Sequence, residues 1–192
     1  SGWREYSVVM PPEELREHWK QQNSNSNIGL PLGPCSGISV IDIDTDDVTI
    51  IKAILEVLPN PLWVRKGAKG AVLAYKHNPA LKTFRIRTIN NESIVEYLSE
   101  GTYVVLPPSI HPKTDKPYTE NRPLWEVKDG LPTLPTNIED TLRNSLKKVG
   151  VSVGDSKIAT KVTEFVPSGA RDISLTRAAG LFAFAVLRGE RS

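Results

Sequence analysis

Ile38-Ser39-Val40-Ile41-Asp42-Ile43-Asp44 has the pattern of a β-strand, and the architecture follows outward from it. The run is rich in β-branched residues and starts just after the turn Gly33-Pro34-Cys35-Ser36-Gly37. Alternation puts Asp42 and Asp44 on one face. Upstream, Ile28–Leu32 is short and apolar, and Pro11–Gln22 reads as a helix that carries Leu15, His18 and Trp19 on one face. Downstream, Asp47–Leu58 is spaced as a helix that turns Ile51, Ile54, Leu55 and Leu58 towards a sheet. Leu62–Lys66 and Ala71–Lys76 flank Gly67-Ala68-Lys69-Gly70 as a hairpin. Thr83–Thr88, Ser93–Leu98 and Gly101–Leu106 follow as strands. This order of elements gives an α/β domain with a β-rich middle.

The texture changes after Trp125. Asp129–Thr136 is rich in Pro and Thr and reads as a linker. Ile138–Val149 is an amphipathic helix with Ile138, Leu142, Leu146 and Val149 on one stripe, Gly150–Lys157 reads as a loop, and Ser168–Leu187 reads as a second helical piece. Over 192 residues, 24 Lys and Arg against 22 Asp and Glu leave +2, which excludes a strongly basic nucleic-acid coat but not a local basic groove. The single cysteine, Cys35, excludes an internal disulfide framework and a Cys-rich zinc site, and fits a reducing compartment. The longest apolar run, Ala178–Leu187, is far short of a membrane span.

Four features carry chemistry. In Asp42-Ile43-Asp44 the two Cα atoms lie roughly 6.5 Å apart, and carboxylates held so close repel unless a cation intervenes. Hard divalent ions take such ligands, and a two-metal centre transfers phosphoryl groups. The plainer reading is that Asp44 or Asp46 caps the next helix, and capping is the preferred role for Asp46 and Asp47. Arg65-Lys66-Gly67-Ala68-Lys69-Gly70 puts three cations and two glycines in one hairpin, which suits a triphosphate or simply a solvated turn. Glu96 is an acid in an apolar strand, placed either in the same cleft or on a wet edge. Pro107-Pro108-Ser109-Ile110-His111-Pro112 presents Ser109 and His111 at an irregular strand end, with His111 a phosphate donor or a structural hydrogen bonder. No G-x-S-x-G elbow accompanies Ser109, which excludes the common serine-hydrolase arrangement.

Taken in order, these motifs resemble a known family. Trp3 and Tyr6, Trp19, Asn27-Ile28-Gly29-Leu30-Pro31-Leu32-Gly33 and Ser36–Asp44 are similar to the opening of the bifunctional primase–polymerase (prim-pol) domain of the archaeo-eukaryotic primase superfamily. Glu96–Pro112, with Thr114 and Pro117-Tyr118, resembles that domain's third-motif region, in the version found in phage and mobile-element replication proteins. The likeness covers roughly Trp3–Trp125. Val166–Asp172 with Leu175 and Ala178-Ala179-Gly180 resembles the start of the small helical module that follows such domains, often ahead of a helicase.

The resemblance implies an RRM-like sheet with an N-terminal α/β unit. It implies a catalytic domain over 1–128, a linker with an amphipathic helix over 129–165, and the start of a helical module over 166–192. Asp42 and Asp44 would be the first motif and Glu96 the third, together binding two Mg²⁺ or Mn²⁺ ions. The family's second motif, a Ser-x-His, is absent from Lys66-Gly67-Ala68-Lys69-Gly70-Ala71. Its phosphate-binding work falls to Arg65, Lys66, Lys69 and Gly70, with Ser109 and His111. Lys82, Arg85 and Arg87 would contact template phosphates. The expected partners are single-stranded DNA, nucleoside triphosphates and a helicase domain, with no membrane, in the cytoplasm of a bacterial or archaeal host. The expected activity is template-directed primer synthesis or extension. The alternatives are a docking module for single-stranded DNA or an origin, and a nuclease.

Overall fold

A computed structural model describes residues 3–23 and 25–154. A 3₁₀ turn over Trp3–Ser7 leads into α1 (Glu13–Gln22), β1 (Ile28–Pro31), β2 (Ile38–Ile43) and α2 (Val48–Leu55). Then come β3 (Val64–Lys66), β4 (Ala71–Lys76), β5 (Phe84–Arg87), β6 (Ser93–Leu98), β7 (Tyr103–Leu106), β8 (Thr119–Glu120), α3 (Leu124–Val127) and α4 (Ile138–Lys148). Six strands form an antiparallel sheet in the order β5-β6-β2-β4-β3-β8, and β1 pairs with β7 in a separate ribbon. The architecture is thus α/β around a mixed-order antiparallel sheet, as the sequence indicates.

Alternation along the central strand sorts the core into two layers. Ile41 and Ile43 of β2, Leu73 and Tyr75 of β4, Val95 and Tyr97 of β6 and Ile86 of β5 pack in one cluster with Ile54 of α2 and Leu142 and Leu146 of α4. Val40, Val72, Ala74 and Trp63 pack in a second cluster with Leu30, Leu32 and Val104 of the ribbon and Leu124 of α3. Each fully buried aliphatic side chain contributes about 1.5–3 kcal/mol, so a sheet covered on both sides holds its register firmly. The ribbon packs on Val40, and Asp42 lies two residues further along the same face, half-buried.

The α2 start agrees with the sequence reading: Asp47 is the N-cap, and its carboxylate accepts from Thr49 N (2.8 Å) and Ile50 N (3.1 Å). Asp46 instead accepts the Gly70 amide at 2.9 Å and so ties the β3–β4 hairpin to the end of β2. The described part of the stretch read as a linker after residue 128 packs against the sheet. Leu131, Leu134, Ile138, Leu142 and Leu146 are all buried in the two clusters above. The main chain is tied as well, with Lys76 N donating to Pro132 O and Gly154 N to Arg87 O, each at 2.9 Å. A Pro- and Thr-rich stretch looked free because its partners are distant in sequence. Val149, placed on the α4 stripe by periodicity, is 40% exposed at the helix C-cap. The helical piece expected over 168–187, and the module start over 166–192, lie outside the described residues.

Candidate active site

Strand pairing builds the site one residue at a time. Arg85 faces Glu96, Glu96 faces Asp42, Asp42 faces Val72, Val72 faces Arg65 and Arg65 faces Glu120. Directly paired residues share a face, so one row across the sheet carries a cation, two acids, a valine, a second cation and a third acid. Asp44 follows Asp42 just beyond the end of β2, where its amide still donates to Ile94 O at 2.8 Å.

Each of the three expected acids has a cation of its own. Glu96 accepts from Arg85 Nε at 3.0 Å and from Ser93 Oγ at 3.0 Å. Asp44 lies 3.4 Å from Lys69 Nζ, and both side chains are about half exposed. Asp42 is held electrostatically by Arg65. Burial, the largest cause, pushes the Asp42 carboxyl up to about 6; Glu96 and Asp44 push the same way, and Arg65 opposes them. Burial also pulls the Arg65 guanidinium below its ordinary value, against the pull of Asp42. Arg65 Nη1 donates to Val105 O at 3.2 Å and its Cζ sits 4.4 Å above the Tyr118 ring, while its Nε is buried without a hydrogen-bond partner.

The other expected ligands separate. Lys69 reaches the site through Asp44. Alternation within β3 turns Lys66 away from Arg65, and it lines a cavity of about 530 Å³ on the far side of the sheet with Lys69 and with Ile51 and Leu55 of α2. Gly70 donates its amide to Asp46. Ser109 is buried, and its hydroxyl accepts the Ile28 amide at 2.7 Å, so it fastens the loop to β1 and does not face the cleft. His111 reaches the hairpin beside Tyr118, with its ring 5.2 Å from that of Tyr118 and its Cδ2 3.8 Å from where a Cβ on Gly67 would lie. Arg85 is engaged by Glu96, Arg87 Nη1 donates to Asn91 Oδ1 at 2.9 Å, and Lys82 is exposed and acts on His77. Sequence reasoning missed two residues: Val72, the neighbour of Asp42 on the β4 side, and Tyr118, which touches both Arg65 and His111. Tyr118 had one signal, its place in Pro117-Tyr118.

Among the described residues no group of three or more His, Cys, Asp or Glu side chains converges as a ready metal cage. The donor set nevertheless fits hard divalent ions. Asp42 and Glu96 are direct cross-strand partners, Asp44 is two residues from Asp42, and all offer carboxylate oxygens that are at present turned to cations. Among the described residues no helix is long and apolar enough to cross a membrane.

One face of the antiparallel sheet thus carries a carboxylate pair flanked by cations, groups of the kinds that can hold divalent ions and phosphates. The family of bifunctional DNA primase/polymerase N-terminal domains (Prim-Pol) matches residues 5–136, and the chain belongs to it. Its class of activity is therefore that of primases and polymerases, nucleotidyl transfer with DNA and nucleotides as substrates. The match runs past residue 128, in keeping with the burial of Leu131 and Leu134. No curated protein matches the sequence.

Proposed function

We propose that the domain carries out template-directed nucleotidyl transfer, adding nucleotides to a primer or initiating 3′-OH, with Asp42, Asp44 and Glu96 as ligands for two Mg²⁺ or Mn²⁺ ions. The observation that carries this reading is the row Arg85–Glu96–Asp42–Val72–Arg65 on one face of the sheet. Bound there, the two ions would activate the 3′-hydroxyl and stabilise the leaving pyrophosphate. The chain supplies the rest. Asp42 and Glu96 project their oxygens side by side from a rigid pair of strands. Lys69 and Asp44 are half exposed, and such a pair is worth about 1 kcal/mol or less. The ammonium is therefore free to change partners and meet a triphosphate. Arg65 brings a buried donor with no partner and a charge that does not titrate near neutrality. In this reading Arg65 and Lys69 take over the work of the absent Ser-x-His.

We further propose that the domain serves a phage or plasmid replication protein, beside a helicase, in the cytoplasm of the host cell. This rests on the likeness of its third-motif region and of Val166–Asp172 to such proteins. Arg87, exposed Lys82 and, once released from Glu96, Arg85 are the proposed contacts to template phosphates.

The test is incorporation of labelled nucleotides on primed and unprimed single-stranded DNA with Mg²⁺ or Mn²⁺, beside the Asp42→Ala/Asp44→Ala double variant. Metal-dependent product, reduced at least a hundredfold in the variant, is expected. Synthesis retained in a folded double variant would sink the assignment. DNA binding without incorporation in the wild type would favour the docking module, and strand loss without added nucleotides the nuclease.

A further inference from the structure

Three separate segments meet on one side chain outside the acidic row. The Arg65 head lies over the Tyr118 ring, 4.4 Å from Cζ to centroid. The His111 ring stands 5.2 Å from it at 60°. Gly67, at the turn of the β3–β4 hairpin, lies flush beneath it: a Cβ on Gly67 would come within 3.0 Å of Tyr118 Cε1. The ring's own root is fixed, because Tyr118 N donates to Ser109 O at 2.9 Å and Ser109 is buried.

We infer that Tyr118 is a positioning residue for the triphosphate end of the site, an inference that rests on the nucleotidyl-transfer reading. An arginine on a flexible stem finds one orientation only if something holds its planar head. Here Val105 O takes one of its donors, the Tyr118 side chain is a second hydrogen-bond partner, and its Nε has none. Tyr118 supplies the remaining constraint twice over, by the cation–π contact of its face and by its side-chain hydrogen bond to the guanidinium, with both residues half-buried. The same ring sets where His111 stands relative to the hairpin. Tyr118 thus fixes two cationic or polar groups against one another without touching the acids, and a triphosphate would meet them prearranged rather than order them on binding.

Two readouts test this, and one of them needs no nucleotide. The first is the Nε–Hε signal of Arg65 in ¹⁵N NMR, assigned by its loss in Arg65→Met. The second is the affinity for Mg²⁺–ATP and Mg²⁺–dATP by titration calorimetry without DNA. Tyr118→Leu keeps bulk but removes the ring face; Tyr118→Phe keeps the face; Gly67→Ala pushes the ring without changing it. The expected result is an averaged Arg65 signal and about tenfold weaker nucleotide binding, about 1.4 kcal/mol, in Tyr118→Leu, with a smaller loss in Tyr118→Phe, which keeps the face but not the hydroxyl, and a partial loss in Gly67→Ala. Combining Tyr118→Leu with Arg65→Met should cost little beyond Arg65→Met alone. An Arg65 signal that stays ordered in a folded Tyr118→Leu overturns the positioning role. So does a lost signal with unchanged affinity, which makes the ring merely structural, or full additivity in the double variant. A wild type that binds no nucleotide removes the function on which the inference rests and overturns both; a wild type that binds nucleotide as tightly as Tyr118→Leu overturns this inference alone.

Discussion

Asp42 pairs with a hydrophobic strand on one side and an acid on the other, and burial lifts its carboxyl from 3.8 to about 6. A folded pKa above the unfolded one means that the native protein holds the Asp42 proton more tightly than the unfolded chain does. Its stabilisation is therefore present at low pH and is lost as pH rises from about 4 through 6, and above 6 the buried charge is a cost. A shift of that size is worth roughly 3 kcal/mol, and some of it is screened by the cleft. Asp42→Asn removes the titration. We predict that unfolding free energies from urea titrations, wild type minus Asp42→Asn, move in favour of the wild type by roughly 1–3 kcal/mol between pH 8 and pH 4. A flat difference would place Asp42 at an ordinary carboxylate value. The same proton would compete with metal, so nucleotide incorporation in the proposed role should fall as pH drops below about 6. Stability and activity would then run in opposite directions with pH, as expected where a buried acid is kept for function rather than for the fold.

The β3–β4 hairpin shows how an element is aimed at a site. Gly70 sits at φ +58°, and a Cβ there would lie 1.7 Å from Ile43 O, inside the closing residues of β2. Only glycine lets the hairpin tip approach closely enough for Asp46 to take the Gly70 amide and for Lys69 to reach Asp44. Gly70→Ala is predicted to lift the tip, with a loss of about 2 kcal/mol or more and faster amide exchange over residues 66–71. A melting temperature within a degree of wild type would refute the close docking. The hairpin itself was legible in the sequence because its signals are local: two glycines between two β-branched or apolar runs. The strand alternation of Asp42 was legible for the same reason. That alternation also held the signal that Lys66 and Arg65 part company, although the cation cluster reads as one unit. Ser109 was illegible because its partner, the Ile28 amide, lies 81 residues away. Charge pairing was illegible too. Nothing in the spacing of Arg85, Lys69 and Arg65 says that each meets a different acid, since the sheet order β5-β6-β2-β4-β3 makes those pairs.

At the scale of the whole molecule the open question is where the folding unit ends, and burial answers it beyond residue 128. Leu131, Leu134, Ile138, Leu142 and Leu146 are each 5% exposed or less. Together, at about 1.5–3 kcal/mol per side chain, they bury an amount comparable with the usual net stability of about 5–15 kcal/mol. Ser145 Oγ donates to Ala53 O at 2.7 Å and pins α4 on α2. Past α4 the chain returns to the sheet's edge: Val153 bridges Thr88, and Arg143 Nη1 donates to Gly154 O at 3.0 Å. That return covers part of the end of β5, an edge strand otherwise open to pairing with other chains. It also ties α4 to the function, because Val95 and Tyr97, the neighbours of Glu96 on β6, pack in the same cluster as Leu142 and Leu146. We therefore predict that a chain ending at 154 unfolds in one cooperative transition, whereas one ending at 128 lacks a stable fold and is cut by protease within β6. Circular dichroism melts and limited proteolysis of the two truncations decide the matter. A cooperative melt of the shorter chain at the same temperature would make α4 a separate unit, and Glu96 would then owe its place to the strands alone.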